Sequence, residues 1–210
     1  MTTICTILSG DLVASTDLPP TDIACAFAVL AQTAGEIASW HRAPVHFTRN
    51  RGDAWQICLP SGDAPGLREA LALRASLRAT DKRFETRIAL ATGAVSLPPD
   101  GNLNQASGAG FTAAGRLLDQ LKGAGFDHAS GDALAAATLL AGEISHHWTP
   151  AQARAVLPML APDPPTHAEV AAQHGITRQA ISLALSGAGF AALSAALERI
   201  ETAQTQERLR

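Results

Sequence analysis

Two apolar stretches, Val45-His46-Phe47-Thr48 and Ala54-Trp55-Gln56-Ile57-Cys58-Leu59, flank Arg49-Asn50-Arg51-Gly52-Asp53, and this arrangement restricts the chain more than any other segment. β-Branched and aromatic residues on both sides of a Gly-Asp turn predict an antiparallel hairpin. Helical spacing precedes it at Ile23, Phe27, Leu30, Ala34 and Ile37, behind a Thr21-Asp22 cap. A second helical stripe follows at Leu67, Ala70, Leu71, Leu73 and Leu77. Met1 to Leu8, stopped by Ser9-Gly10-Asp11, and Thr86 to Val95 complete the set as strands.

The order β-α-β-β-α-β predicts an α+β fold, a ferredoxin-like antiparallel sheet with helices on one face. Beyond it, Leu97 to Ala109 reads as an exposed loop, Phe111 to Leu121 as a helix and Phe126 to Ser130 as a short extra strand. Gly131-Asp132 caps another helix reaching about Ser145. Thr149-Pro150 then opens a new helix with proline at its first position, so the expected domains are 1–147 and 148–210. In the second, small all-α domain, Thr149 to Leu160, Thr166 to His174 and Thr177 to Leu185 have the proportions of a helix-turn-helix. Gly175 permits the left-handed turn, and Ile176 is expected to plug the angle between the helices. Ala191 to Thr202 forms a last amphipathic helix suited to domain or subunit contact.

Of the 210 residues, 47% are hydrophobic and 17% charged, which excludes an intrinsically disordered chain. Aromatics are 4%, so the core must be built from small aliphatics. No apolar run approaches the roughly 20 residues of a membrane span, and the N-terminus lacks the basic flank of a signal peptide, so a cytoplasmic protein without a membrane partner is expected. Cys5, Cys25 and Cys58 fit neither a metal nor a disulfide spacing and read as small core residues. His146-His147 has no third ligand at metal spacing. A net charge of -3 gives no global basic field, so any binding of DNA must be local.

Asp11 and Asp53 stand at the ends of strands expected to be neighbours. Two carboxylates at one sheet edge, with little competing positive charge, can hold Mg²⁺ and through it the phosphates of a nucleotide. Aspartate is equally an ordinary turn residue. Read whole, Ser9-Gly10-Asp11-Leu12-Val13-Ala14-Ser15-Thr16, Gly52-Asp53-Ala54-Trp55, Arg87 to Val95 and Gly108 to Leu117 resemble the catalytic domain of class III nucleotidyl cyclases over roughly residues 3 to 145. That resemblance implies Asp11 and Asp53 as metal ligands for Mg²⁺ or Mn²⁺ and Arg116 as the arginine that steadies phosphate charge. It places Thr112 where the family carries a ribose-orienting asparagine, Arg49 where it carries a base-recognising lysine, and Gln105 where it carries a base-contacting aspartate. Gly108 opens the helix over the triphosphate. The family's site is shared between two subunits, so a head-to-tail homodimer is implied. The departures point to a nucleotide held without turnover.

Thr166-His167-Ala168-Glu169-Val170-Ala171-Ala172-Gln173-His174-Gly175-Ile176-Thr177-Arg178-Gln179-Ala180-Ile181-Ser182 is similar to the reading unit of winged or sigma-factor-like helix-turn-helix regulators. On that likeness Thr177 caps a recognition helix, Arg178 and Gln179 face guanine and adenine in the major groove, and Ser182 and Thr166 touch phosphates of double-stranded DNA. Residues 148 to 210 carry five arginines against five acidic residues, so phosphate attraction is weak and binding depends on a dimer. The combination of both units resembles the SatD-type family of bacterial regulators. The expected function is a dimeric DNA-binding transcriptional regulator with a nucleotide-sensing, catalytically degenerate cyclase-like domain. The alternative is an active metal-dependent cyclase making a cyclic nucleotide from a nucleoside triphosphate.

Overall fold

The computed structural model describes residues 2–41, 43–50, 52–60 and 65–208. Its centre is β1 (Thr2–Leu12), paired antiparallel with β3 (Ala54–Leu59) on one side and β4 (Thr86–Ser96) on the other. β2 (His46–Arg49) adds beyond β3, giving the order β2-β3-β1-β4 expected of the split unit. β5 (Ser107–Gly108) pairs antiparallel with the end of β4, and β6 (Phe126–His128) pairs parallel with its start.

β1 does not stop at Ser9 as the Ser-Gly-Asp signal predicts. Ser9, Gly10 and Asp11 face Gln56, Trp55 and Ala54 across one ladder and Ala89, Ile88 and Arg87 across the other, so pairing on both edges overrides the local turn preference. Gly10 is required by a close approach: a Cβ there would lie 2.3 Å from Trp55 Cζ2. Trp55 is fully buried, and its indole N–H donates to Thr86 Oγ1 at 3.2 Å.

Alternation along the strands divides two cores. Leu8, Leu12, Ile57, Leu59, Ile88 and Leu90 face α1 (Pro20–Trp40) and α2 (Leu67–Thr80). Cys5, Ile7, Cys58, Ala91 and Val95 face the other way, toward Ala114 of α3 (Ala109–Gln120). Helices therefore cover both faces, not one, because α3 shields an apolar strand face that β1 and β4 would otherwise expose to water. The loop before α3 is also less exposed than expected, since Leu103 is buried in a 3-10 turn, Leu103–Gln105, under this second core. α1 begins at Pro20 with Pro19 at the capping position and no side-chain cap, in place of the predicted Thr21-Asp22 cap. By length and composition α1 is long and apolar enough to cross a membrane, against the expectation from the sequence; it buries Ala26, Phe27, Leu30, Ala34 and Ile37 in the core. Cys5 and Cys58 are buried as expected, but Cys25 is exposed on α1.

α4 (Ala133–His146) is capped by Asp132, which accepts from the Leu134 N–H, and packs on β6. α5 (Pro150–Met159) and α6 (His167–His174) each begin with a reciprocal capping box, at Thr149/Gln152 and Thr166/Glu169. Gly175 adopts φ 63°, closing α6, and α7 (Arg178–Gly187) starts at the cap Thr177. Val170, Ala171, Ile181 and Leu185 are buried where these helices meet, but Ile176 is 48% exposed and plugs nothing. The turn is closed by its backbone N–H donating to Ala171 O at 3.0 Å, which leaves the side chain facing out. α8 (Phe190–Arg208) ends the described chain.

The buried cluster beside α1 and α2 continues without a break through Trp148, Val156, Val170, Ile181 and Leu197. The Trp148 indole donates to Ala188 O at 2.9 Å, and Arg68 of α2 forms a bidentate pair with Glu201 of α8.

Candidate functional site

Asp11 and Asp53 line one concavity of about 280 Å³ at the rim where β1 and the β2–β3 hairpin end, together with Leu12 to Thr16, Arg87 and Gly123. The hairpin carries Asp53 back alongside β1, and the Leu12 N–H donates to Asp53 O at 3.1 Å. The following turn bends sharply at Ala14, whose φ of 52° is left-handed, and presents the Ser15 hydroxyl to Asp53 Oδ2. Local turn chemistry and strand pairing thus bring together two acids remote in sequence.

Positive charge is not lacking there, contrary to the sequence expectation. Arg87 Nε and Nη2 donate to Asp11 Oδ1 and Oδ2, both at 2.7 Å, and Nη1 donates to Leu121 O at 2.7 Å. Hydrogen bonding to Asp11 raises the Arg87 pKa, opposed by burial and aided by the charges of Asp11, Asp53 and Asp119. Hard oxygen donors suit Mg²⁺ or Mn²⁺ in kind, but both Asp11 oxygens are already engaged. Among the described residues no group of three or more His, Cys, Asp or Glu is placed to hold a metal ion.

The other residues singled out in the cyclase-like segment do not line this concavity. Arg116 and Thr112 are exposed on α3, and the Thr112 hydroxyl donates to Gly108 O at 3.2 Å. Gly108 opens α3 at φ 136°; a Cβ there would lie 2.3 Å from Ala94 O, so the residue serves close packing of α3 on β4. Gln105 is exposed at the end of the 3-10 turn. Arg49 stands at the hairpin with its guanidinium 3.9 Å from the Phe27 ring centroid, and donates to Gly52 O at 3.2 Å. Arg51 lies outside the described residues.

Thr166, Thr177, Arg178, Gln179 and Ser182 are all exposed around the starts of α6 and α7. The Thr177 hydroxyl accepts from the Ala180 N–H at 3.1 Å, and Thr166 Oγ1 donates to Glu169 Oε2 at 2.8 Å. Hydrogen bonds from the Thr166 backbone and side chain hold the Glu169 pKa below its ordinary value. Ser182 is 3.0 Å from His167 Nδ1, which ties α7 to α6.

Sequence reasoning missed Arg87 as a site residue, although it named the strand. No local signal marks it, because only the β1–β4 register sets Arg87 directly opposite Asp11.

Neither a family profile nor a curated protein matches the chain. Solved structures that it resembles include the guanylyl cyclase Cya2, at 17% identity and TM-score 0.46 over 63% of this chain and 80% of that one. The catalytic core of a rhodopsin-guanylyl cyclase with converted specificity, in complex with ATPalphaS, matches at 20% identity and TM-score 0.48, over 61% and 78%. A bacterial light-regulated adenylyl cyclase matches at 21% identity and TM-score 0.43, over 61% and 76%.

Proposed function

We propose that the protein is a cytoplasmic, homodimeric DNA-binding regulator whose cyclase-like unit, residues 1–147, senses a nucleotide and whose helices from residue 148 onward dock on an operator. The observation that carries this reading is the convergence of Asp11 and Asp53 on one rim. There they would hold Mg²⁺ or Mn²⁺, which when bound supplies charge neutralisation to nucleotide phosphates. Arg87 must leave Asp11 for that to happen, and a phosphate oxygen is the acceptor that would take its guanidinium in exchange. Arg116, Thr112, Arg49, Gln105 and Gly108 belong to the same reading as residues meeting the ligand across a dimer. Further support comes from Arg178 and Gln179, exposed on the first turn of a capped helix.

The full-length protein should shift its own promoter fragment in preference to random duplex, with affinity falling steeply as salt rises. Equal affinity for both DNAs overturns the regulator. In thermal denaturation with Mn²⁺, a bound triphosphate at a hundredfold its dissociation constant should stabilise by about 2.7 kcal/mol, and Asp53→Asn should abolish the gain. A cyclic product in the same mixture, lost in Asp53→Asn, would establish the enzymatic alternative.

A further inference from the structure

Arg74, midway along α2, is 1% exposed, yet among the described residues no carboxylate is hydrogen-bonded to it. Burial, and then the charge of Arg78, lower its pKa to about 9 against the opposing charge of Glu143, so the group is still a cation at neutral pH. Taking an unpaired guanidinium out of water is costly, and Leu or Met would fill similar space without that cost. A buried cation of this kind is explained by what it holds.

It holds backbone from separate parts of the chain. Nη2 donates to Thr86 O at the start of β4, at 2.7 Å, and to Ala124 O in the return between α3 and β6. Nη1 donates to Gly142 O at 2.9 Å and to Ser145 Oγ at 3.4 Å, both toward the C-terminus of α4, where a positive charge suits the helix dipole. The guanidinium carbon lies 3.9 Å from the Phe126 ring centroid. A Cβ at Gly142 would lie 2.8 Å from Phe126 Cβ, so α4 sits on β6 without slack.

Two of these acceptors stand behind the rim that carries Asp11 and Asp53. Thr86 precedes Arg87, and its hydroxyl donates to Asp11 O at 2.7 Å. Ala124 follows Gly123, which lines the concavity, and Arg87 Nη1 holds Leu121 O in the same return. The other two acceptors lead away from the rim. The Trp148 N–H donates to Ser145 O at 3.2 Å, and its indole reaches Ala188 O between α7 and α8. Release of Arg87 from Asp11 also gives up Leu121 O, and the return that it anchors is pinned at Ala124 by Arg74.

We propose that Arg74 is a positioning residue that fixes Arg87 and the 121–125 return from behind and passes displacement of Arg87 on to the end of α4, a role that rests on the reading of that rim as the ligand site. Arg87 on Asp11 and Arg87 released are the two states, and Gly142 and Ser145 are where the difference arrives.

Hydrogen–deuterium exchange of the full-length protein, read by mass spectrometry, tests this in Arg87→Gln, where the rim is released without any ligand. Exchange of residues 121–125 and 142–148 should rise about fivefold over wild type, with residues 26–37 of α1 unchanged as the reference. Arg74→Lys keeps the charge but has one nitrogen for four acceptors. In that background Arg87→Gln should still free residues 121–125 but alter 142–148 by less than about twofold. An arginine that only supports the fold would leave the response to Arg87→Gln the same in both backgrounds, and that result overturns the proposal. So does an Arg87→Gln protein in which 142–148 exchange as in wild type, a comparison that decides alone if circular dichroism shows Arg74→Lys unfolded. Calorimetry with Mn²⁺ and ATP tests the rim separately: absence of binding overturns its nucleotide reading, while the ligand-free exchange comparison still decides the role of Arg74.

Discussion

Arg87 spans both carboxylate oxygens of Asp11, directly across the β1–β4 ladder, at 2.7 Å on each side. The guanidinium thereby occupies with its own charge the acid that a divalent cation would need. In Arg87→Gln the carboxylate is freed, and Mn²⁺ affinity measured by electron paramagnetic resonance should rise about tenfold. Loss of this partly exposed pair and of the bond to Leu121 O should cost about 1 kcal/mol in urea denaturation. Unchanged or weaker Mn²⁺ binding would remove Arg87 as the competing cation.

Gly10 lies under the Trp55 ring, where an added methyl has no room. Gly10→Ala should lower stability by about 2 to 3 kcal/mol, since neither strand at the centre of the sheet can move aside. In Trp55→Leu the ring is absent and the penalty of the second substitution should fall, though not to zero, because a Cβ at position 10 would still lie 2.7 Å from the backbone oxygen of Arg87. A thermal-unfolding double-mutant cycle measures this coupling, and strict additivity would contradict the contact.

Acidification should destabilise the protein before its carboxylates titrate. Burial lowers the His128 pKa against the raising charges of Asp132 and Asp127. Its Nδ1 accepts from the Ser130 N–H at 3.1 Å, and Nε2 is enclosed without a partner. Burial, then Arg74, His147 and Arg78, lower His146 against the opposing charge of Glu143. A histidine with a depressed folded pKa binds fewer protons folded than unfolded, so stability rises with pH across that interval. Full stability is expected above about pH 6.5, with loss as pH falls from there toward the folded values. Urea midpoints in His128→Gln should depend less on pH between about 5 and 7 than those of the wild type. An equal slope would assign the effect elsewhere.

The three cysteines should react very unequally. Burial raises the Cys58 pKa, with further raising from Cys5, and burial raises Cys5 against a lowering hydrogen bond from Cys58. Thiolate is the reactive form, so both should be inert while folded. Exposed Cys25 should account for the whole fast phase with a disulfide reagent, and Cys25→Ser should remove it. A second fast thiol in that variant would show that the sheet opens readily at β1 and β3.

What the sequence by itself determined here is local or periodic. The hairpin around Gly52-Asp53, the apolar stripes of α1 and α2, the caps Asp132 and Thr177, and the helix start at Thr149-Pro150 each depend on residues within a turn or two of one another. Asp11 and Asp53 were recognisable for the same reason, since each belongs to a short motif at a strand end. Tertiary structure alone decided what those residues meet. Whether β1 continues through Gly10 depends on two partner strands, both more than 40 residues away. Arg87 is 76 positions from Asp11 and becomes its counter-ion only through register. Glu69, in turn, meets His41 at 3.1 Å across 28 positions and shares a cleft with Glu198 and Glu201 of α8 only once the chain has folded. Burial and charge pairing are sums over all neighbours in space, and periodicity along the chain names only those on the same element.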